Sequence, residues 1–455
     1  LTGEVRNDTV YFLETERIRH HRYGLMLRQT TPLTARLQTV VEGRLRFDAA
    51  LHPSSEAPQG DLPRPVRDDE LDEAEFRDLY ADWLGDAARV KVGWQRFDWF
   101  DTLTPLNSGL VTPLDLRHGG FGNADDLIVP QLAVAANHPV PLGTGALGSW
   151  EWVVARFEPH RLAAGDNGYD ATERTEGLAA LSASHPVDSG REAELGWRWL
   201  SSVGSLELTG MAYHGHERLP HARLAPVVGP TGVPTGAVTG ESGYPRVNTY
   251  GLFATYADDA WVARTSLVAQ PRRDLEVVVA GPEEPGHERL VRLGTGFDYV
   301  QSKHLKVYSE QFYTRRDFVD LPEASSSDDQ DDHLDDLALS LRLVNESFQD
   351  VKITVDGAWY APRRAGYFGP EVETTLGGVW KVSGGARLVR SFDERSPLET
   401  TKEASHLWVA VARPFDVATL FSPTAAASEP AKASKKAKPA KKKKKRKKKK
   451  VEADD

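Results

Sequence analysis

Hydrophobic and polar residues alternate along most of this chain. Between Thr34 and Ala49, one parity carries Glu42, Arg44, Arg46 and Asp48, and the other Val41, Gly43, Leu45 and Phe47. The run Arg89–Gln95 repeats the pattern, with Arg89, Lys91, Gly93 and Gln95 set against Val90, Val92 and Trp94. Further on, Leu337, Leu339, Leu341 and Leu343 share a face opposed to Asp336, Ser340 and Arg342. A period of two is the mark of a β-strand with one apolar and one polar side. Eighteen such runs can be traced, from Gly3–Leu13 and His20–Thr31 to His406–Phe415. Short turns such as Gly85-Asp86-Ala87-Ala88, Asp258-Asp259-Ala260 and Ser383-Gly384-Gly385 join them in pairs. Longer Gly-, Pro- and Asp-rich loops, among them 51–73, 159–189, 219–247 and 319–334, separate the pairs.

Alternation alone also fits a soluble two-sheet sandwich. Two features favour a membrane. An even number of strands, ~10–13 residues each, with short turns at one end and long loops at the other, is the pattern of outer-membrane barrels. Trp150, Trp152, Trp197, Trp199, Trp261, Trp359, Trp380 and Trp408 are read on the apolar parity, as interfacial aromatic girdles require. The predicted fold is therefore all-β: a transmembrane antiparallel up-and-down barrel of about eighteen strands, with sixteen the neighbouring solution, over residues 1–421.

Composition sharpens this reading. Mean hydropathy is −0.45, and no apolar run approaches the ~18–20 residues of a spanning helix. A barrel tolerates such polarity because only alternate residues meet lipid. Cysteine is absent, which removes disulfides, thiolate metal sites and cysteine catalysis. The chain starts at Leu1, as expected after removal of a leader or after trimming. Charge is divided: Glu429–Asp455 carries 14 Lys+Arg against 4 Asp+Glu, leaving 42 basic and 62 acidic residues in 1–428. Residues 422–455 are predicted to be a disordered basic tail. Lys441–Lys450 is its densest part, expected in the periplasm and facing cell-wall or membrane-surface anions or an export partner. No nucleic-acid partner is expected.

Strand parity yields the predicted pore lining: Arg28, Glu42, Arg44, Arg46, Arg89, Lys91, Gln95, Glu192, Glu194, Arg198, Glu207, Arg264, Arg292, Asp298, Lys306, Glu310, Arg342, Lys352, Asp356, Glu373, Lys381 and Arg387. Rings of such charges set selectivity in channels, whereas pairing across strands would merely fill the wall. Asp101–Asp126, rich in Leu, Pro and Gly, is predicted to fold inward as a constriction or plug, with Trp99, Pro113, Asp115 and Arg117 at it. No catalytic residue, metal site or cofactor is predicted. Asp328–Asp336 lacks the spaced ligands and central glycine of a calcium loop. Ser182-Ala183-Ser184-His185 lacks the setting of a nucleophile elbow.

Phe76–Val140 together with Trp150–Asn167 resembles a family of proteobacterial outer-membrane channel proteins. The family pattern is G-R-Q-x-x-x-W-G, then N-P-x-D-L-R, then a hairpin with a Pro-rich exit. Here it reads Gly93-Trp94-Gln95-Arg96-Phe97-Asp98-Trp99-Phe100, then Thr112-Pro113-Leu114-Asp115-Leu116-Arg117, then Val153-Val154-Ala155-Arg156-Phe157-Glu158-Pro159. Trp94, Phe100 and Thr112 depart from the pattern. The eighteen-strand architecture is also similar to alginate-type polysaccharide-export barrels. The resemblance implies a channel in the outer membrane of a Gram-negative bacterium, passing or exporting polar solutes; a last run that ends at the short-turn side places the C-terminus in the periplasm, and no residue pattern argues for an enzyme. A structural barrel that anchors the envelope or a surface machine through its tail is the alternative.

Overall fold

The computed structural model describes residues 1–13, 16–49, 72–97, 110–115, 127–141, 146–161, 193–218, 221–228, 234–274, 277–279, 287–302, 304–319, 333–348, 350–361, 364–392 and 405–416. The strands are β1 (Thr2–Phe12), β2 (Arg17–Pro32), β3 (Leu37–Asp48), β4 (Asp72–Leu84), β5 (Arg89–Gln95), β6 (Gln131–Pro141) and β7 (Ala146–Arg156). Then come β8 (Ala193–Val203), β9 (Leu206–His216), β10 (His221–Val228), β11 (Pro234–Gly243), β12 (Arg246–Ala257), β13 (Trp261–Asp274) and β14 (Val277–Val279). The last are β15 (His287–Ser302), β16 (Leu305–Val319), β17 (His333–Phe348), β18 (Val351–Ala361), β19 (Ala365–Leu376), β20 (Trp380–Ser391) and β21 (His406–Asp416).

Eighteen of these strands form one antiparallel sheet, each paired with the next along the chain except where β10, β11 and β14 stand apart. The sheet closes on itself: β1 pairs with β21 from Thr2↔Asp416 to Phe12↔His406. Closure leaves no strand edge with unpaired backbone groups, the condition for spanning lipid. An 11-residue strand rises ~3.3 Å per residue and, tilted as barrel strands are, covers an apolar band of ~25 Å. The predicted all-β barrel and its count of eighteen therefore stand.

The turns at 33–36, 85–88, 204–205, 258–260 and 377–379 all lie at one end, together with Thr2 and Asp416, and the facing ends of β6 and β7, β15 and β16, and β17 and β18 meet at the same end. In the turn after β4, Gly85 N donates to Ala88 O at 2.8 Å. The long connections leave from the other end. One of them, expected as a plain loop at 219–247, holds the β10–β11 hairpin, with β14 added in parallel. The Gly-rich Ser383-Gly384-Gly385 is not a turn but the middle of β20. The turn falls at Gly377-Gly378, whose φ angles of 59° and 71° suit glycine. At Gly385 a Cβ would stand 2.4 Å from Pro370 O, so glycine there serves close strand approach.

The burial pattern is that of a soluble protein turned inside out. On β17, Leu337, Leu339, Leu341 and Leu343 are 37–48% exposed. The alternate residues Ala338, Ser340 and Arg342 pair on the inner face with Phe312, Glu310 and Tyr308 of β16 and with Tyr360, Ala358 and Asp356 of β18. Leu252, Leu293, Val372, Leu407 and Val409 extend the outer apolar surface around the wall. A patch of that extent far exceeds what a soluble monomer exposes. Near the short-turn end, Trp261 stacks on Phe297 at 6.0 Å between centroids and meets Tyr256 tilted at 5.2 Å, as in an interfacial aromatic girdle. Trp408 corrects the tryptophan reading. It opposes Val10 and Gly385 on the inner face, because Leu407, Val409 and Val411 claim the outer parity of β21.

Candidate functional site

The site is the barrel interior. It starts from an interruption of β5, where Gly93 has a φ of 135° and a Cβ would lie 2.2 Å from Leu79 O. The strand stops at Gln95, and Gln95 Nε2 donates to Ala133 O at 3.0 Å. Arg96 then turns back across the inner wall, its Nη2 reaching Glu42 and Asp78, each at 2.8 Å. Thr112 Oγ1 donates to Phe97 O at 3.1 Å, tying the returning chain to the point where it left.

Residues 111–115 and 127–130 are buried. Val111 is buried in one apolar cluster with Ala133, Ala135, Val153, Ala155, Met211, Tyr213 and Val268. Registers place those side chains on the face that carries Lys91, Glu194 and Arg198, so the segment lies inside the barrel. Small alanines there leave room for it. Leu114 bridges Ile128, and Leu114 N donates to His160 Nδ1 at 2.8 Å. The three motif stretches, 93–97, 112–115 and 153–161, thus converge on one place.

Ion pairs secure both flanks. Toward β3 and β4, Arg161 Nη1 reaches Glu75 at 2.7 Å, Glu73 at 3.3 Å and Asp115 at 3.9 Å. Arg44 and Arg77 converge on the same Glu75 at 2.5 and 3.3 Å. Toward β8 and β9, Arg218 pairs with Glu194 at 2.9 Å, both 1% exposed at their side chains. Glu158, in the connection after β7, is held above the usual carboxyl range by burial, with Arg156, Arg161 and Arg218 pulling the other way.

In the order of strands around the barrel, the segment covers β6 to β13, and β17 to β20 stand opposite. There Arg387 donates to Asp356 at 3.2 Å and lies 4.8 Å over the Tyr367 ring, with Arg342 in register with Asp356. Arg264–Asp298 (2.5 Å), Arg316–Asp336 (3.3 Å) and Lys306–Glu346 (3.4 Å) line the wall between.

Registers put the predicted lining residues Arg44, Arg46, Arg89, Lys91, Gln95, Glu194, Arg198, Arg264, Arg292, Asp298, Lys306, Glu310, Arg342 and Lys381 on the inner face. Arg28, Glu42, Glu207, Lys352, Asp356, Glu373 and Arg387 share it. Many are paired: Arg28 and Arg96 with Glu42, Arg89 with Asp82, Arg198 with Glu151. Pro113 and Asp115 are buried in the inward segment. Trp99, Arg117, Glu192, most of Asp101–Asp126 and all of 422–455, including Lys441–Lys450, lie outside the described residues.

Parity reading missed several inward groups. A bulge in β4 at Arg77, opposite Glu42/Gly43, turns both Arg77 and Asp78 inward, so Glu73 and Glu75 sit on one parity and Asp82 on the other. Arg96, Arg161 and Arg218 lie off the strands, where alternation carries no information. Arg273, paired with Glu217 at 2.8 Å and Glu288 at 2.6 Å, follows a register shift in β13. His214 and His216 serve as hydrogen-bond partners of Asn248 and Arg246 and of Glu194.

No known family's sequence profile matches the chain, and no curated protein matches it. Solved structures do. OccAB1 of Acinetobacter baumannii is 9% identical with a TM-score of 0.52, over 91% of this chain and 95% of that one. OccK2 of Pseudomonas aeruginosa, solved in complex with glucuronate, is 11% identical with a TM-score of 0.49, over 91% and 97%. OmpT of Vibrio cholerae, an outer membrane protein, is 8% identical with a TM-score of 0.42, over 91% and 96%. At such identities the likeness is one of fold, carried by the first of the three, and places the fold with outer-membrane barrels.

Proposed function

We propose that the protein is an outer-membrane channel of a Gram-negative bacterium, through which polar solutes move down their own gradient. The observation that carries this reading is the combination of an apolar exterior, a charged interior and a buried segment at 111–115 lying against the inner wall. The segment narrows the lumen on the β6–β13 side, so solutes pass along β15–β21, β1 and β2. Charges of both signs there sort solutes by charge and size rather than by chemistry performed on them. An inward segment favours small solutes over polysaccharide export. On this reading the short turns and both ends of the barrel face the periplasm, which is the usual placement of short barrel turns.

The test is single-channel conductance of the refolded protein in a planar bilayer, before and after deletion of Asp101–Asp126. The expected result is steady current in the intact protein and a several-fold rise on deletion. Silence in both, with folding verified by a heat-modifiable gel shift, would replace the channel with the structural-anchor reading. The dense ion pairing of the β3–β9 sector is the observation that keeps that second reading alive.

For the tail, the proposal is attraction of Lys441–Lys450 to anionic cell-wall polymers, an electrostatic contact that salt screens. Truncation after residue 421 should abolish co-sedimentation with cell wall at low salt. Unchanged sedimentation would dispose of the contact.

A further inference from the structure

We propose that Arg218 is the positioning residue of the constriction, a clamp that holds two inward connections against the barrel wall and thereby sets the width of the pore. The inference rests on the channel reading. Arg218 follows β9, and its side chain is 1% exposed. Its donors are spent on four acceptors. Nε donates to Val111 O at 2.8 Å, and Nη2 also contacts that oxygen. Nη1 donates to Glu158 O at 2.9 Å. Nη2 reaches Glu194 Oε2 at 2.9 Å and the Tyr213 hydroxyl at 2.6 Å. Phe157 and Tyr213 flank the guanidinium, their centroids 5.4 and 5.8 Å from its carbon.

Two of the acceptors, Glu194 and Tyr213, belong to the wall. The other two are backbone carbonyls of the connections after β5 and after β7. The guanidinium is thus the shared centre of three pieces of chain far apart in sequence. Glu194 is itself fixed by Gln131 Nε2 at 3.1 Å and by His216 N at 3.1 Å. The strand ladders on either side, Leu195↔His214 to Val203↔Leu206 and Arg246↔His216 to Tyr256↔Leu206, form without Arg218. Its loss therefore frees the inward segment and spares the wall. Lysine, a point charge without a planar fork, cannot reach four acceptors spread in this way.

The test uses the full chain with Arg218→Met and Glu194→Gln together, so that neither partner is left as a lone buried charge. The expected result is a retained heat-modifiable gel shift, at least a doubling of single-channel conductance, and current flickering between levels. The chain has no cysteine, so Val111→Cys with Ala155→Cys can be joined by a short thiol cross-linker. Cross-linking should return the clamp variant to native conductance and leave the otherwise native protein unchanged. Native conductance and noise in the folded clamp variant would overturn the proposal. So would a native-background cross-link that alters the current, because the segment would then not have been held already, and this arm stands even if the clamp variant fails to fold. Silence of the native protein would sink the channel reading instead.

Discussion

Replacing Glu75 by alanine should cost the barrel ~3–5 kcal/mol, the range for removing one partner from a buried ion pair. Glu75 is where three arginines meet, Arg44, Arg161 and Arg77 at 2.5, 2.7 and 3.3 Å. Arg44 and Arg77 are 5% and 1% exposed at their side chains, so water cannot take over the role of the carboxylate. The neighbouring Glu73 already serves Arg44, Arg46 and Arg161 at 3.3–3.5 Å. Adding Arg44→Met to Glu75→Ala should recover part of the loss, because the double change removes a desolvated charge along with its partner. Equilibrium unfolding in lipid vesicles for the two single variants and the double variant measures the coupling. Strictly additive costs would show that the cluster is solvated and that its short distances carry little energy.

Leu341→Arg should cost ~2–4 kcal/mol, the range for a basic residue facing lipid at mid-depth. Leu341 lies near the middle of β17, 48% exposed, between Leu339 and Leu343 on the outer face. Its neighbour Ser340 faces inward, opposite Glu310 on β16 and Ala358 on β18, so Ser340→Lys, a base set against an acid, should change stability by no more than about 0.5 kcal/mol. The pair is informative because adjacent residues are predicted to respond in opposite ways. A soluble barrel would tolerate arginine at an exposed leucine. If Leu341→Arg refolds into vesicles with native stability, the outer face does not meet lipid.

How much of this was legible in the sequence depends on whether a residue sits in an uninterrupted strand. Leu337 to Leu343 could be assigned by alternation alone, and so could Arg342 and Asp356, because nothing breaks the period between them. Trp408 was misassigned although its neighbours Leu407 and Val409 already fixed the parity. The Gly384-Gly385 pair looked like a turn because glycine has two uses, positive φ and close approach, and the residue type alone does not separate them. In β4 the bulge at Arg77 reverses the parity midway, so a count from either end misplaces the other half. Arg96, Arg161 and Arg218 carry the inward segment, yet they lie in connections, where position is set by tertiary contact. The best signal for them was indirect: a Leu- and Pro-rich stretch too apolar for an exposed loop.

The seam between β1 and β21 has a consequence in time as well as in space. Thr2 pairs with Asp416, about 400 residues away along the chain. Every other neighbouring pair in the wall is closer in sequence, so hairpins can form locally as the chain is made. The first strand, however, keeps one side unsatisfied until the last one exists. Contacts of such separation are slow to find and leave sticky edges exposed meanwhile. A nascent chain of this design cannot finish itself piecemeal; it must be kept apart from other copies until its own tail end arrives to complete the ring.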